Sequence, residues 1–364
     1  MLDGRCSGFA RNLAIKRNRL IISKLSFLQL ATDLNPTIDH RTSIIEPLRR
    51  IHNQRSSSTK TMYDNDSKGT SYTGGFFMLI AFVIGGAFLA QAISNVVWTG
   101  MTGKAVKELF DGSVTAADAS AMRVIQVINA VFSFLVPTFV VAYMLHRRPL
   151  KLIGFESRNM RIKQFGLVIL IFGAALMLST ALSYVTHLIP LSPSSLAYFN
   201  ELEERYNKTI SVIVNPQTFI DYIIALVVMG FFPALCEEVI FRGGLQNFLT
   251  RGTNKPWMAI IVVSAIFSIM HFSYYGFLSR FALGVVLGAL YYYSGTIWWS
   301  VIAHFLNNAM AVTILYIYAL QGKPIKEAMT QEVENFWGLI AIIPLIGLLI
   351  MFKNSTAKNK RRLE

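Results

Sequence analysis

An all-α, polytopic membrane protein of about eight transmembrane helices is the fold this sequence predicts, and three observations predict it. Of 364 residues, 53% are hydrophobic and 15% charged, and the mean hydropathy is +0.47, well to the apolar side of a soluble domain. From Gly74 onward the apolar residues gather into eight stretches, each near the roughly 20 residues that a helix needs to cross a hydrocarbon core of about 30 Å. The cations fall between these stretches and at both ends of the chain, which is the signature of membrane topology.

Residues 1–73 precede the spans. Positions 1–61 hold eleven Lys or Arg against four acids, about half of the formal charge of +14, and read as a basic, largely disordered tail. An Arg-rich targeting peptide is the rarer alternative, opposed by Asp3, Asp33, Asp39 and Glu46. Met62 is a candidate natural start, because the segment after it leads directly into the first apolar stretch.

The membrane domain is expected over 74–352, with spans at 75–98, 122–145, 164–188, 219–249, 256–274, 279–293, 297–319 and 336–352. The sixth is short, but Gly284 and Gly288 give it a small face for close helix contact. Residues 353–364 form a second basic tail. Lys and Arg near span ends stay in the cytosol. The loop with Arg147, Arg148, Lys151, Arg158, Arg161 and Lys163 is therefore expected inside, as are both termini, and so is the tail with Lys353, Lys358, Lys360, Arg361 and Arg362. The segments 99–121, 189–218 and 320–335, whose few cations are balanced by acids, are expected as outside loops. This distribution reads the charge as orientation, with the lipid bilayer and not nucleic acid as the partner. Cys6 and Cys236 lie far apart and suggest neither a disulfide framework nor a thiolate zinc site. Trp298, Trp299 and Tyr291 to Tyr293 read as an interfacial aromatic belt.

Ionisable side chains at bilayer depth cost several kcal/mol even on lenient scales, so each one asks for a reason. Glu237 and Glu238 lie inside the fourth stretch, His271 closes the fifth, and His304 lies near the start of the seventh with Asn307 and Asn308. Taken singly, each is as well explained by structural hydrogen bonding between helices. Helical spacing suggests more. Glu238 and Arg242 stand at i, i+4, which suits an ion pair, while Glu237 points about 100° away. His304 and Asn308 share a face. A rise of about 1.5 Å per residue along antiparallel helices brings Glu237 and His271 nearly level, and returns His304 and Asn308 to within about one turn of that depth.

Such a pocket can run hydrolysis. Burial disfavours the charged form of a carboxylate and suits Glu237 to take a proton from water. A neutral imidazole at His271 can orient that water, and donors from His304 and Asn308 can stabilise an oxyanion.

The runs CEEVIFRGGLQ at 236–246, FSIMH at 267–271 and HFLNN at 304–308 resemble, in order, the three motifs of the CAAX prenyl protease and bacteriocin-processing family, also called the Abi family. The resemblance covers roughly 219–318. It implies an eight-helix intramembrane endopeptidase, with Glu237 as base, His271 as its water-positioning partner, His304 and Asn308 as oxyanion residues, and Glu238 with Arg242 completing the first motif. Members of the family are often labelled metalloproteases. Glu237, His271 and His304 would supply three ligands to Zn2+ with a fourth position open, but an asparagine beside the second histidine suits an oxyanion role better, and the expectation is a reaction without metal. The substrate implied is a membrane-associated or lipid-anchored peptide or protein. No His-Glu-x-x-His run, no Gly-x-Ser-Gly and no aspartate pair points to another intramembrane protease chemistry. Two rivals stand beside this reading. A proton- or ion-coupled transporter would also place Glu and His in the membrane, though the sequence shows no clear internal repeat. A catalytically silent immunity or binding protein would use the same scaffold.

Overall fold

The computed structural model describes residues 66–110, 113–157, 160–214, 218–323, 327 and 336–363, all within the unit Tyr63–Glu364. The basic segment 1–61, Met62, Asp111, Arg158, Glu332, Glu334 and the side chains of Lys358, Lys360, Arg361 and Arg362 lie outside the described residues. The chain is all-α: among the described residues the β-pairing is an isolated bridge between Ser67 and His146.

Seven helices are long and apolar enough to cross a bilayer. They are α1 (Tyr72–Thr102), α2 (Ala116–Leu145), α3 (Ile162–His187), α5 (Phe219–Thr253), α7 (Phe277–Ser294), α8 (Trp298–Leu320) and α9 (Phe336–Ala357). Between α5 and α7 lies α6, the short apolar helix Pro256–Ile269, and between α3 and α5 lies α4, Pro193–Val214. Large apolar side chains such as Phe88, Ile162 and Ile343 are exposed on these spans, as expected where lipid is the solvent and helices satisfy their own backbone. The protein is an integral membrane protein.

The helix ends follow local chemistry. Ser71 Oγ accepts from Gly74 N–H at 3.0 Å to open α1, and Thr218 and Asp221 form a reciprocal capping box at the start of α5. Left-handed residues close three helices, Gly103 at φ 69°, Asn254 at φ 57° and Gly295 at φ 71°, each donating back to a carbonyl four residues earlier. Pro137 and Pro233 lie inside α2 and α5, where proline removes a donor and crowds the preceding turn. Each follows a wider π-helical turn, Val131–Leu135 and Leu226–Phe231, which accommodates the ring without breaking the helix. A third π-helical stretch, Val239–Gln246, starts directly after Glu238.

Two expectations are corrected. The fifth stretch, expected at 256–274, is helical only to Ile269, so its 14 residues rise about 21 Å and stop short of a full crossing. The backbone then enters an irregular turn in which Phe272 takes φ 49°, a left-handed conformation that an aromatic residue rarely adopts. The segment 189–218, expected as a loop, contains the 22-residue helix α4. Its acids keep it below the hydropathy of a span, and its apolar end, Val212 to Val214, is buried. Arg123 on α2 binds the Ile213 and Val214 carbonyls at 2.8 and 3.1 Å, capping α4 where its last carbonyls lack partners.

Close packing supports the interior. Side chains of α1, α2, α5 and α6 share one buried cluster, and those of α3, α7, α8 and α9 another. A Cβ on Gly284 would stand 3.0 Å from Ser264 Cβ, and one on Gly288 would stand 3.1 Å from Ile260, so the two glycines let α7 meet α6 as their spacing predicts. On α5, a Cβ on Gly243 would lie 2.9 Å from the Ile153 carbonyl. Trp299 and Tyr291 are buried in this packing, Trp298 and Tyr293 are half-buried and Tyr292 is exposed, so the expected aromatic belt is in part core.

Candidate active site

The buried charges lie where α5, α7 and α8 meet. Glu238 Oε1 accepts from Arg242 Nη1 at 2.8 Å, and both side chains are essentially sealed from solvent. The i, i+4 spacing makes this pair local to α5. Arg242 Nη2 reaches the Gly284 carbonyl on α7 at 3.1 Å, and its guanidinium lies 4.9 Å from the centre of the Phe267 ring on α6. A buried ion pair of this kind holds only when further hydrogen bonds offset desolvation. Here the carbonyl of α7 and the aromatic face of α6 contribute, although Glu238 Oε2 and Arg242 Nε are buried without a hydrogen-bond partner in the protein.

His304 on α8 joins the same carboxylate, with Nδ1 2.9 Å from Glu238 Oε1. Its Nε2 then faces Glu237, 3.8 Å from Oε2. From the opposite side, His271 Nε2 stands 3.9 Å from the same Oε2, while His271 Nδ1 donates to the Phe267 carbonyl at 2.7 Å. A carbonyl only accepts, so this bond fixes the proton on Nδ1 and, in the neutral ring, leaves the Nε2 lone pair toward Glu237. Both imidazoles pack against the Phe267 ring, at 4.7 and 5.8 Å between centroids. Glu237 Oε2 is buried and has no hydrogen-bond partner in the protein. Helical phase explains the division of labour between the adjacent acids, one locked to Arg242 and the other presented to two histidines.

Asn308 lies one turn beyond His304 on α8, its Nδ2 at the long distance of 3.5 Å from the Gly230 carbonyl on α5, with Asn307 Nδ2 3.4 Å from its Oδ1. Five of the six residues singled out by the sequence, Glu237, Glu238, Arg242, His271 and His304, therefore converge directly, and Asn308 extends the same face. Among the described residues no group of three His, Cys, Asp or Glu side chains stands close enough to hold a metal ion. The 3.8 and 3.9 Å separations exceed the roughly 3.3 Å between neighbouring ligands of a tetrahedral zinc with bonds of about 2 Å.

Three contributors escaped the sequence. Ser268 Oγ donates to the Phe277 carbonyl at 2.6 Å and ties α6 to α7, beyond any pattern visible in one dimension. The strained backbone at Phe272, next to His271, has no sequence signal, since the left-handed region favours Gly or Asn. Arg280 did carry one: it is a cation inside the expected span 279–293.

The fold and site together define a polytopic helical membrane protein with a carboxylate facing two imidazoles in its interior. Residues 219–310 match the model of the family described as Rce1-like, Type II CAAX prenyl endopeptidase Rce1-like. That segment contains all three motifs, and the match bears out the resemblance to the CAAX prenyl protease family. It supports an intramembrane protease of the CAAX type in general, acting on membrane-associated substrates in the bilayer. No curated protein and no solved structure matches the chain.

Proposed function

We propose that this protein is an intramembrane endopeptidase in which Glu237 activates water against a peptide carbonyl. The observation that carries the reading is the orphan Glu237 Oε2, 3.9 and 3.8 Å from two imidazole nitrogens. These gaps are too long for direct hydrogen bonds and suit a bridging water. Glu237 takes the proton of that water, and its oxygen bonds to the carbonyl carbon. The tetrahedral intermediate collapses as the C–N bond breaks, and Glu237 returns the proton to the leaving amine.

His271, with its proton fixed on Nδ1 by the Phe267 carbonyl, accepts from the water through Nε2 and orients it. His304, held by its Nδ1 contact with Glu238, turns Nε2 toward the oxyanion, and the Glu238 carboxylate is itself held in place by Arg242. Asn308 adds a neutral donor one turn along. The side chains suffice for this sequence of steps without Zn2+. The substrate is a membrane-associated or lipid-anchored peptide, and both termini of the enzyme face the cytosol, a reading that rests on the cations following α2 and ending the chain and on counting α6, with the turn after it, as an eighth crossing.

Comparative proteomics of membranes holding wild type or Glu237→Ala at equal abundance tests the activity. New peptide termini should appear only with wild type, and identical termini in both would reject the protease. Purified active enzyme should keep its rate after chelator treatment. Loss of rate, restored by adding Zn2+, would replace the metal-free mechanism.

A further inference from the structure

The loop joining α2 to α3 carries an open cavity of about 440 Å³, lined by Arg148, Pro149, Leu150, Lys151, Phe155 and Glu156. None of the groups assigned to hydrolysis lines it. The loop is stitched to the helices behind it. Asn247 Nδ2 on α5 donates to the Leu152 carbonyl at 2.6 Å, the Ile297 N–H ahead of α8 donates to the Gly154 carbonyl at 2.9 Å, and Trp298 Nε1 on α8 donates to the Phe155 carbonyl at 3.1 Å. Leu152 and Ile153 are buried beneath it, and the Phe155 ring meets Trp298 edge-on at 5.6 Å between centroids. The cavity is therefore preformed, and a ligand entering it has little ordering of the chain to offset.

Its lining sets two cations against one carboxylate, Glu156, and so carries net positive charge. The Arg148 side chain is mostly exposed, and its ion pair with Asp66 is long, 3.8 Å from Nε to Oδ2. Lys151 is exposed as well. A phosphate group answers both, since the guanidinium fork binds its oxygens in pairs and the ammonium adds a point charge. Position selects the source of that phosphate. Arg148 follows the last residue of the α2 span, Leu145, by three places, and the α3 span opens at the exposed Ile162. Leu150, in the lining itself, is exposed beside the two cations. Apolar surface next to positive charge at the end of a span suits an acyl chain joined to an anionic headgroup, whereas free phosphate has no use for it.

We propose that this cavity binds the phosphate of an anionic membrane lipid, held by Arg148 and Lys151 with its acyl chain against Leu150. The site is separate from Glu237 and stands whether or not the peptidase reading holds.

Native mass spectrometry of the full-length protein in mild detergent, titrated with phosphatidylglycerol or phosphatidylcholine, tests it. The first phosphatidylglycerol should bind about 10-fold more tightly than the first phosphatidylcholine. Arg148→Gln and Lys151→Gln should each weaken phosphatidylglycerol about fivefold, and the double variant about 25-fold, while leaving phosphatidylcholine unchanged. Glu156→Gln, which removes the opposing charge, should tighten it. Lys163→Gln removes an exposed cation that does not line the cavity and should have little effect. Equal binding of the two lipids by wild type would overturn the proposal. So would a loss in Lys163→Gln as large as that in Lys151→Gln, which would make the attraction a diffuse property of the surface. Inorganic phosphate at the same concentration should leave the bound lipid in place, and displacement by it would overturn the assignment to lipid. If Arg148→Gln disturbs the segment around Asp66, Lys151→Gln decides alone.

Discussion

Replacing Arg242 by methionine is expected to cost about 3–5 kcal/mol of folding free energy, because it leaves a buried carboxylate without its counter-charge. Glu238 is wholly inaccessible and accepts from Arg242 at 2.8 Å, so water cannot take over the lost bond. The same substitution removes the guanidinium link to the Gly284 carbonyl and unsettles His304, whose Nδ1 rests on Glu238 Oε1. Reversible unfolding in detergent micelles measures the loss. The double variant Glu238→Gln with Arg242→Met should recover part of it, since a neutral amide is cheaper to bury than an unpaired charge. A single variant as stable as wild type would show that the pair does not hold α5 to α7 and α8.

Glu237→Gln is expected to lower kcat about 10²- to 10⁴-fold, the contribution of a positioned general base, with little change in KM. The amide keeps the shape of the side chain but cannot take the proton of water. Stability should not fall with activity, because Glu237 Oε2 makes no hydrogen bond within the protein that the substitution could remove. Single-turnover assays of purified enzyme beside thermal unfolding separate the two effects. A fall of less than tenfold in kcat would assign the proton transfer to another group.

Much of this was legible in one dimension because lipid imposes simple rules. A helix must be long enough and apolar enough to cross, so the positions of all eight apolar helices could be read from hydropathy, and Glu237, Glu238, His271 and His304 stood out as charges where charges are costly. The i, i+4 spacing of Glu238 and Arg242 was enough to predict their ion pair, a contact within one helix. The helix α4 was not legible in the same way: its stability comes from contacts such as Arg123 with the Ile213 carbonyl and Phe199 with Tyr274, which join residues far apart in sequence. Nor was the early end of α6, since the left-handed turn at Phe272 runs against the preference of its own residue.

The sequence alone determined the number and order of the apolar helices, the identity of the intramembrane acid and imidazoles, and the three-motif resemblance, because hydropathy and helical periodicity are properties of neighbours along the chain. Only the tertiary structure decided that Glu238 is shared by Arg242 and His304 while Glu237 Oε2 lies between two rings without a direct hydrogen bond, and that Arg280 Nη1 is buried without a hydrogen-bond partner. Those are distances between separate helices, set by how glycines, π-helical turns and aromatic contacts allow the helices to approach, and no local pattern encodes them.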